Sequence, residues 1–240
     1  MAQHTVFATA QDNSKPLLKC VNLMFTSTGL RAAGSNGNCI VTVRGDNQST
    51  GDVSLLIPAA SLGKLSNMCQ DKDEFRVGTT GKSIVFFREN FLFSARLMEG
   101  GYIDTDQLVG SIRNAFTVLT DIHDMRAALS SVLSIGTGNR VKLSFQDQRL
   151  VFQCTGDCVS ASAPIEVIAL TGTPAGDYWF NAKQLVTCLK ALSGTVTLGI
   201  AQGGMLTLAT QDAYYLQNAM RPEAQKKTQK AAQPAAAKAA

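Results

Sequence analysis

The chain has 240 residues, 45% of them apolar and 17% charged, with a formal net charge of +4. That is room for one large or two ordinary domains with proper cores, and too little charge for a disordered chain. No apolar run approaches the roughly 18 residues of a membrane span, and the opening residues Met1, Ala2, Gln3, His4 and Thr5 lack the basic stretch and apolar core of a signal peptide.

Taken in order, a short helical piece at about 2–10 precedes Lys15 and Pro16. Period-2 alternation, β-branched and aromatic content between Gly and Asp/Asn breaks predicts strands at 29–34, 39–43 and 53–57. A helix-like stretch follows at 58–69, then short strands at 74–77, 83–87 and 90–97. Residues 100–114 hold two glycines near their start and no clear periodicity, and read as the joint between two units. Beyond it Ile122, Met125, Leu129, Val132 and Leu133 fall on one face of a helix at 122–134, with Asp121 as its N-cap. Strands are expected at 149–154, 159–163 and 177–180, a helix at 181–192, and strands at 195–200, 204–210 and 213–218.

The order of elements in the second half repeats that of the first, with a period of about 120 residues. The chain therefore reads as tandem α+β units, each with antiparallel sheet and two amphipathic helices: residues 1–110 and 111–222. The remaining residues, 223–240, are rich in Ala, Lys and Gln and lack large apolar side chains, so a disordered basic tail is expected. Lys226, Lys227, Lys230 and Lys238 against Glu223 give this tail a net +3 and leave only +1 for residues 1–222. Bulk charge alone does not identify a nucleic-acid partner; any basic surface has to be a local concentration.

Six scattered cysteines, Cys20, Cys39, Cys69, Cys154, Cys158 and Cys188, read as reduced thiols used as small core residues, which implies a cytoplasmic protein. Cys154 and Cys158 have the spacing of half a zinc site, but no second Cys/His pair does, so neither metal nor cofactor is expected. Two histidines, His4 and His123, stand outside any Ser/His/Asp or metal pattern, and there is no P-loop or dinucleotide fingerprint. Asp104 and Asp106 lie in the joint as solvated acids. The expectation is a protein with no catalytic residues.

Five stretches then carry a resemblance. Residues 91–104, FLFSARLMEGGYID, resemble the strand, acidic-Gly turn, aromatic and Asp that close the middle domain of the bacterial DNA polymerase III beta subunit, the sliding clamp. KPLLKCV at 15–21 looks like that family's R-P-I-L-x-G-V, NGN at 36–38 like its D-G-H turn, WFNAKQL at 179–185 like F-N-x-x-Y-L, and YLQNAMRP at 215–222 like the C-terminal Y-x-x-M-P-M-R-L. The matches are in order and span nearly all of residues 1–222. They correspond to the second and third domains of a three-domain clamp subunit, with a leading strand and half a helix lacking before His4.

The resemblance implies a ring around duplex DNA, with sheets outside and helices lining the hole. Contact with phosphates would be independent of sequence. Its residues would be Lys64 and Asn67 on the first unit's helix, and Arg126, Ser130, Lys183, Thr187 and Lys190 on the second unit's two helices. It also implies a pocket for short peptide motifs of the polymerase and the clamp loader. The first unit would give Cys20, Ser35, Gly37, Asn38 and Ile40, and the joint Ile103, Gln107 and Leu108. The second unit would give Asn181, Gln184, Met205, Leu216, Gln217, Asn218, Ala219, Met220 and Arg221. Ile40, Leu108, Leu216 and Met220 would form an apolar floor for a Leu or Phe. Departures occur at Asn38 and Cys39, where the family has a His-Arg type pair, at Gln184 for Tyr, and at Asn218 and Ala219 for Met-Pro. Two units per chain imply a homo-oligomer, with a trimer favoured and a tetramer possible, joined head to tail near Val132 and Leu133. The rival from another class is a two-domain interaction or adaptor protein that never encircles DNA.

Overall fold

A computed structural model describes residues 1–49, 51–70, 73–135, 138–155 and 159–221; the expected tail at 223–240 and Cys158 lie outside them. The first repeat runs α1 (Ala2–Val6), a 3-10 turn (Pro16–Lys19), β1 (Cys20–Thr26), β2 (Gly29–Ser35), β3 (Cys39–Gly45), β4 (Val53–Pro58), α2 (Ala59–Asn67), β5 (Arg76–Thr79), β6 (Ser83–Arg88) and β7 (Phe91–Arg96). The joint contains α3 (Thr105–Ser111). The second repeat runs β8 (Asn114–Asp121), α4 (Ile122–Leu133), β9 (Arg140–Gln146), β10 (Arg149–Thr155), β11 (Ser160–Ile165), β12 (Ala169–Gly172), β13 (Tyr178–Asn181), α5 (Ala182–Ala191), β14 (Thr195–Ala201), β15 (Leu206–Ala209) and β16 (Ala213–Gln217).

Hydrophobic periodicity accounts for the helices. Ile122, Met125, Ala128, Leu129 and Val132 form the buried stripe of α4, and Ala182, Leu185, Cys188 and Leu189 that of α5. Asp121 accepts from the His123 amide at 2.7 Å and Asn181 from the Gln184 amide at 3.1 Å, so both helices begin on side-chain caps. The first helix is shorter than expected, ending at Val6, with Thr5 and Val6 carbonyls then closing turns to Ala8 and Thr9. It lies flat on β2, because a Cβ at Gly34 would meet the Thr5 carbonyl oxygen at 2.5 Å.

All strand pairs are antiparallel, in three sheets. Nine strands, in the order β12-β8-β14-β15-β16-β3-β2-β1-β4, form one sheet that runs through both repeats, with the seam at β16 and β3. The second repeat adds β11-β10-β9-β13, and the first adds β5-β6-β7. Among the described residues no strand stands beside β5 in the place that β8 takes beside β14.

The repeat holds to the level of register. The cross-strand pair Ala33↔Thr42 of β2 and β3 recurs 120 residues later as Gln153↔Ser162 of β10 and β11. The pair Phe86↔Phe93 of β6 and β7 recurs 122 residues later as Leu208↔Tyr215 of β15 and β16.

Four strands and one helix had no counterpart in the sequence expectations: β1, β8, β9, β12 and α3. Residues 100–114 are therefore not structureless. Asp104 caps α3 by accepting from the amides of Asp106 and Gln107 at 3.1 and 2.9 Å.

The larger core joins α4 and α5 to the strands around them and takes in Ala8, Cys39, Val41 and Val43 from the first repeat. A smaller core gathers Val21, Ile57, Leu62, Leu65, Ile84 and Phe86 under α2. Leu185 has no exposed surface. Leu185→Ala is expected to cost about 2–5 kcal/mol through lost transfer energy and the cavity left behind. At about 2–4 °C per kcal/mol for a chain of this size, circular-dichroism melting resolves it, and an unchanged midpoint would contradict this core. Among the described residues no helix is long and apolar enough to cross a membrane.

Candidate functional site

The helices form one layer in the order α2, α1, α5, α4, since α1 packs on α2 and on α5, and α5 on α4. Each buries its apolar stripe against sheet, so the opposite stripe is the outer surface of that layer. Lys64 and Asn67 on α2, Lys183, Thr187 and Lys190 on α5, and Ser130 on α4 are all exposed there. The Thr187 hydroxyl donates to the Lys183 carbonyl at 2.9 Å, a bond within its own helix.

Arg126 departs from the expectation. Its Nε donates to the Leu189 carbonyl at 2.6 Å, and its Nη2 donates to the carbonyls of Lys190, at 3.3 Å, and of Leu192. These are carbonyls of the end of α5 and just past it, where intrahelical donors run out. A guanidinium also suits the negative end of the helix dipole. Arg126 therefore ties α4 to α5 through its Nε and Nη2. Val132 is likewise corrected: at 1% exposure it belongs to the chain's own core, and of the expected pair only Leu133 reaches the surface in part.

Of the residues expected to form a peptide pocket, Asn38, Ile40, Leu216, Gln217 and Asn218 lie at the seam of the nine-stranded sheet, on both of its faces. Leu216 stands directly across from Ile40, and the Asn218 amide donates to the Asn38 carbonyl at 2.9 Å. Beyond the strand the Met220 amide donates to the Trp179 carbonyl at 2.7 Å, and Arg140 donates to the Arg221 carbonyl at 3.1 Å. Side chains alternate along a strand, so Leu216 and Gln217 point to opposite faces. Gln217 faces the helices, where its amide donates to the Asn181 carbonyl at 3.2 Å and to Gln184 Oε1 at 3.4 Å, and its own Oε1 accepts from the Tyr215 hydroxyl at 2.7 Å.

Cys20, Ser35, Ile40, Leu216 and Gln217 are all buried, at 6% exposure or less. They act as seam and core rather than as surface offered to a ligand, which corrects the expectation for these five. Ile103, Leu108, Asn181, Gln184, Met205 and Met220 are partly open, and Gly37, Asn38, Gln107, Asn218, Ala219 and Arg221 are exposed. Ser35 is spent locally: its hydroxyl donates to the Cys39 carbonyl at 3.0 Å and accepts from the Gly37 amide at 3.1 Å. The Tyr102 hydroxyl donates to the Cys20 carbonyl at 3.4 Å, and burial makes it a weaker acid, its pKa pushed up to about 12. Burial likewise pushes the Cys39 thiol up to about 11 and raises Cys20 and Cys188, so these are protonated, unreactive core groups.

One cavity of about 390 Å³ opens on the sheet face that Ile40 and Leu216 share, one cross-strand step along, at Thr42 and Tyr214. Arg31, Arg44, Asp106 and Val109 also line it. None of its lining residues was among the expected pocket residues. Arg31 and Arg44 stand directly opposite one another on β2 and β3, a like-charge arrangement that Asp106 of α3 relieves through an ion pair with Arg31. Burial first, and then the charge of Arg44, hold Arg31 below its ordinary basicity. The signal was present in sequence as two arginines on alternating strands, but their pairing depends on register.

At the start of α4 the donor atoms of Asp121, His123 and Asp124 gather, with Asp121 already used as the cap. Cys154 donates its thiol to the Arg140 carbonyl at 3.4 Å.

No protein-family model matches the chain. Its sequence is 23% identical over 201 residues to the beta sliding clamp of Bacillus subtilis, covering 81% of this chain and 53% of that protein. It is 26% identical over 196 residues to the beta sliding clamp of Streptococcus pneumoniae, covering 79% and 51%. The chain thus spans about half the length of the curated relatives it matches. The fold superposes on the crystal structure of the Bacillus subtilis DNA polymerase sliding clamp with a TM-score of 0.84 at 20% identity, covering 92% of this chain and 61% of that one. Against the DNA polymerase III beta chain of Streptococcus pneumoniae the TM-score is 0.81 at 25% identity, with 92% and 62% covered. The tandem antiparallel sheets, the helix layer and these likenesses together give the chain the fold of the bacterial beta sliding clamps.

Proposed function

We propose that this chain is a non-enzymatic DNA sliding clamp, a processivity factor whose copies close into a ring around duplex DNA. The observation that carries this is the seam: two repeats join into one nine-stranded sheet, and α1, α2, α4 and α5 form a single layer on one side. Repeating that joint from copy to copy curls the helix layer inward and leaves the sheets outside. The units are residues 1–110 and 111–222, and three copies supply six of them, with four copies as the wider alternative. Lys64, Lys183 and Lys190, helped by Asn67, Ser130 and Thr187, then face phosphates without reading sequence. The site of action is the cytoplasm, which suits a chain whose Cys20, Cys39, Cys154 and Cys188 are buried free thiols.

The partners are a polymerase and a clamp loader, each bringing a short peptide to the seam. Its apolar anchor rests among Leu108, Met220 and Ile103, and its backbone leads toward the cavity between Arg31 and Tyr214. The test is topological. Protein loaded on nicked circular DNA is expected to stay bound through a high-salt wash and to leave once the circle is cut. Equal retention on linear and circular DNA would mean ordinary binding and would overturn encirclement.

A further inference from the structure

The two repeats correspond closely along β5 and β6, but one neighbouring place is open. Val77↔Phe86 of β5 and β6 recurs as Leu198↔Leu208 of β14 and β15, and Gly78↔Val85 recurs as Gly199↔Thr207, the glycine included. In the second repeat β8 lies on the other side of β14, with Val118 opposite Leu198 and Leu119 opposite Thr197. In the first repeat β5 is hydrogen-bonded as a strand only to β6, among the described residues. The difference shows in burial. Leu198 has no exposed surface, whereas its equivalent Val77 is 37% exposed, although it shares a face with buried Phe86.

Backbone phase agrees. The Thr80 amide donates to the Ser83 carbonyl at 2.9 Å, so the even-numbered residues of β5 turn toward β6. Val77 and Thr79 therefore turn their N–H and C=O groups to the open side. The Ala201 amide donates to the Met205 carbonyl at 2.8 Å, which sets Leu198 and Ile200 toward β8 in the same phase. An open edge with an apolar inner face is a template for a further strand.

We infer that the place beside β5 is a strand-addition site for an extended acidic segment of a partner protein. The segment runs antiparallel to β5 in the register that β8 takes on β14, with an apolar side chain opposite Val77 and a carboxylate opposite Arg76.

Charge identifies the occupant. Arg76 is exposed and makes no ion pair among the described residues; Asp73 is taken by Arg88, and Glu74 makes none. Lys82, in the turn from β5 to β6, is a second exposed cation. Opposite charges directly across a strand pair stabilise it, and like charges oppose it. A second copy lacks the matching chemistry, because its edge strands β4, β7, β11, β12 and β13 contain no acidic residue. Residues 223–240 have the wrong sign, with four lysines against Glu223. Main-chain bonds to Val77 and Thr79 then give affinity, and the alternating apolar and acidic side chains give specificity. The site is separate from the seam and does not depend on closure of a ring. Repeating the seam from copy to copy engages β7 and β11, the counterparts of β16 and β3, and leaves β5 open.

The probe is an end-blocked peptide with the sequence of residues 114–121 carrying Leu119→Glu, in which position 119 falls opposite Arg76 and Val118 opposite Val77. In the full chain alone, hydrogen exchange is expected to be fast at the Val77 and Thr79 amides. Saturating peptide is expected to slow both at least tenfold and to leave Gly78, which faces β6, unchanged. Val77→Asp is expected to weaken binding at least tenfold. The peptide with Leu119→Glu is expected to bind at least fivefold more tightly than one with Leu119→Lys, and that order to reverse in the Arg76→Glu chain, whose exposed position tolerates the change. Val77 and Thr79 already protected without peptide would mean that this chain or a second copy fills the place, which overturns the proposal. Peptide that leaves their exchange unaltered overturns it as well. Protection with no preference between Glu and Lys would overturn the acidic partner.

Discussion

Replacing Lys64, Lys183 and Lys190 together by Glu is expected to weaken binding of a short linear duplex at least a hundredfold at moderate salt, with the fold intact. Three attractive contacts vanish and three repulsive ones appear. At about 0.5 kcal/mol for each exposed charge contact that is about 3 kcal/mol, or two decades. The loss is expected to be uniform across sequences, and the slope of log affinity against log salt to become shallower by about 0.9 per phosphate contact removed. All three side chains are exposed, so melting is expected to be unchanged. Arg126→Ala is the contrasting case. It strands carbonyls of Leu189, Lys190 and Leu192, and a hydrogen bond to a charged group is worth about 1.5–3 kcal/mol. Stability is expected to fall by about that much while DNA affinity barely moves. A triple lysine variant that binds DNA as tightly as the parent would remove the helix layer from the interface.

The two arginine and lysine roles show where sequence reading stops. Lys64, Lys183 and Lys190 are off the apolar stripes of their helices, so their exposure follows from spacing alone. Arg126 is also off its stripe, but its acceptors sit more than sixty residues away at the end of another helix, and no local pattern announces that meeting. The same division holds for the strands. β14 and β16 alternate cleanly or bound a turn and were legible, whereas β1 reads as an apolar run buried over Cys20, Val21, Asn22 and Leu23 without alternation. β8 hides its inward set because Thr120 shares it with Phe116 and Val118. α3 is seven residues long, mostly polar, with Gly110 inside it; it depends on the Asp104 cap instead of an apolar face. At the seam, Ile40 and Leu216 were recognisable as neighbours from resemblance, but their near-complete burial is a product of register between strands far apart in the chain. That is why five of the expected pocket residues turn out to be structural, while the cavity lies at Arg31 and Arg44.

Met220→Glu and Leu108→Asp are each expected to reduce polymerase binding at least tenfold while leaving native mass and DNA retention unchanged. Both side chains are partly open, one beside Trp179 past the last strand and one on α3. A Leu or Phe anchor that settles between them gains about 1.5–3 kcal/mol from burial alone. A carboxylate there removes the gain and is itself desolvated when the anchor enters, and one decade of affinity is about 1.4 kcal/mol. Neither residue belongs to β7, β11 or the layer of α1, α2, α4 and α5, so joint and hole are expected to be spared. The fold is spared too, because Met220 engages Trp179 through its backbone amide, which the substitution keeps. A reversal at the cavity separates the two halves of the groove: Arg44→Glu leaves the anchor in place, turns the paired arginines into an Arg–Glu pair, and is expected to weaken only those peptides that carry an acidic residue beside the anchor. Titration of the polymerase's own peptide by calorimetry reads all three. Native affinity in both Met220→Glu and Leu108→Asp would place the anchor elsewhere on the seam, with Asn218 and Ala219 marking a different mode of attachment from that of the relatives.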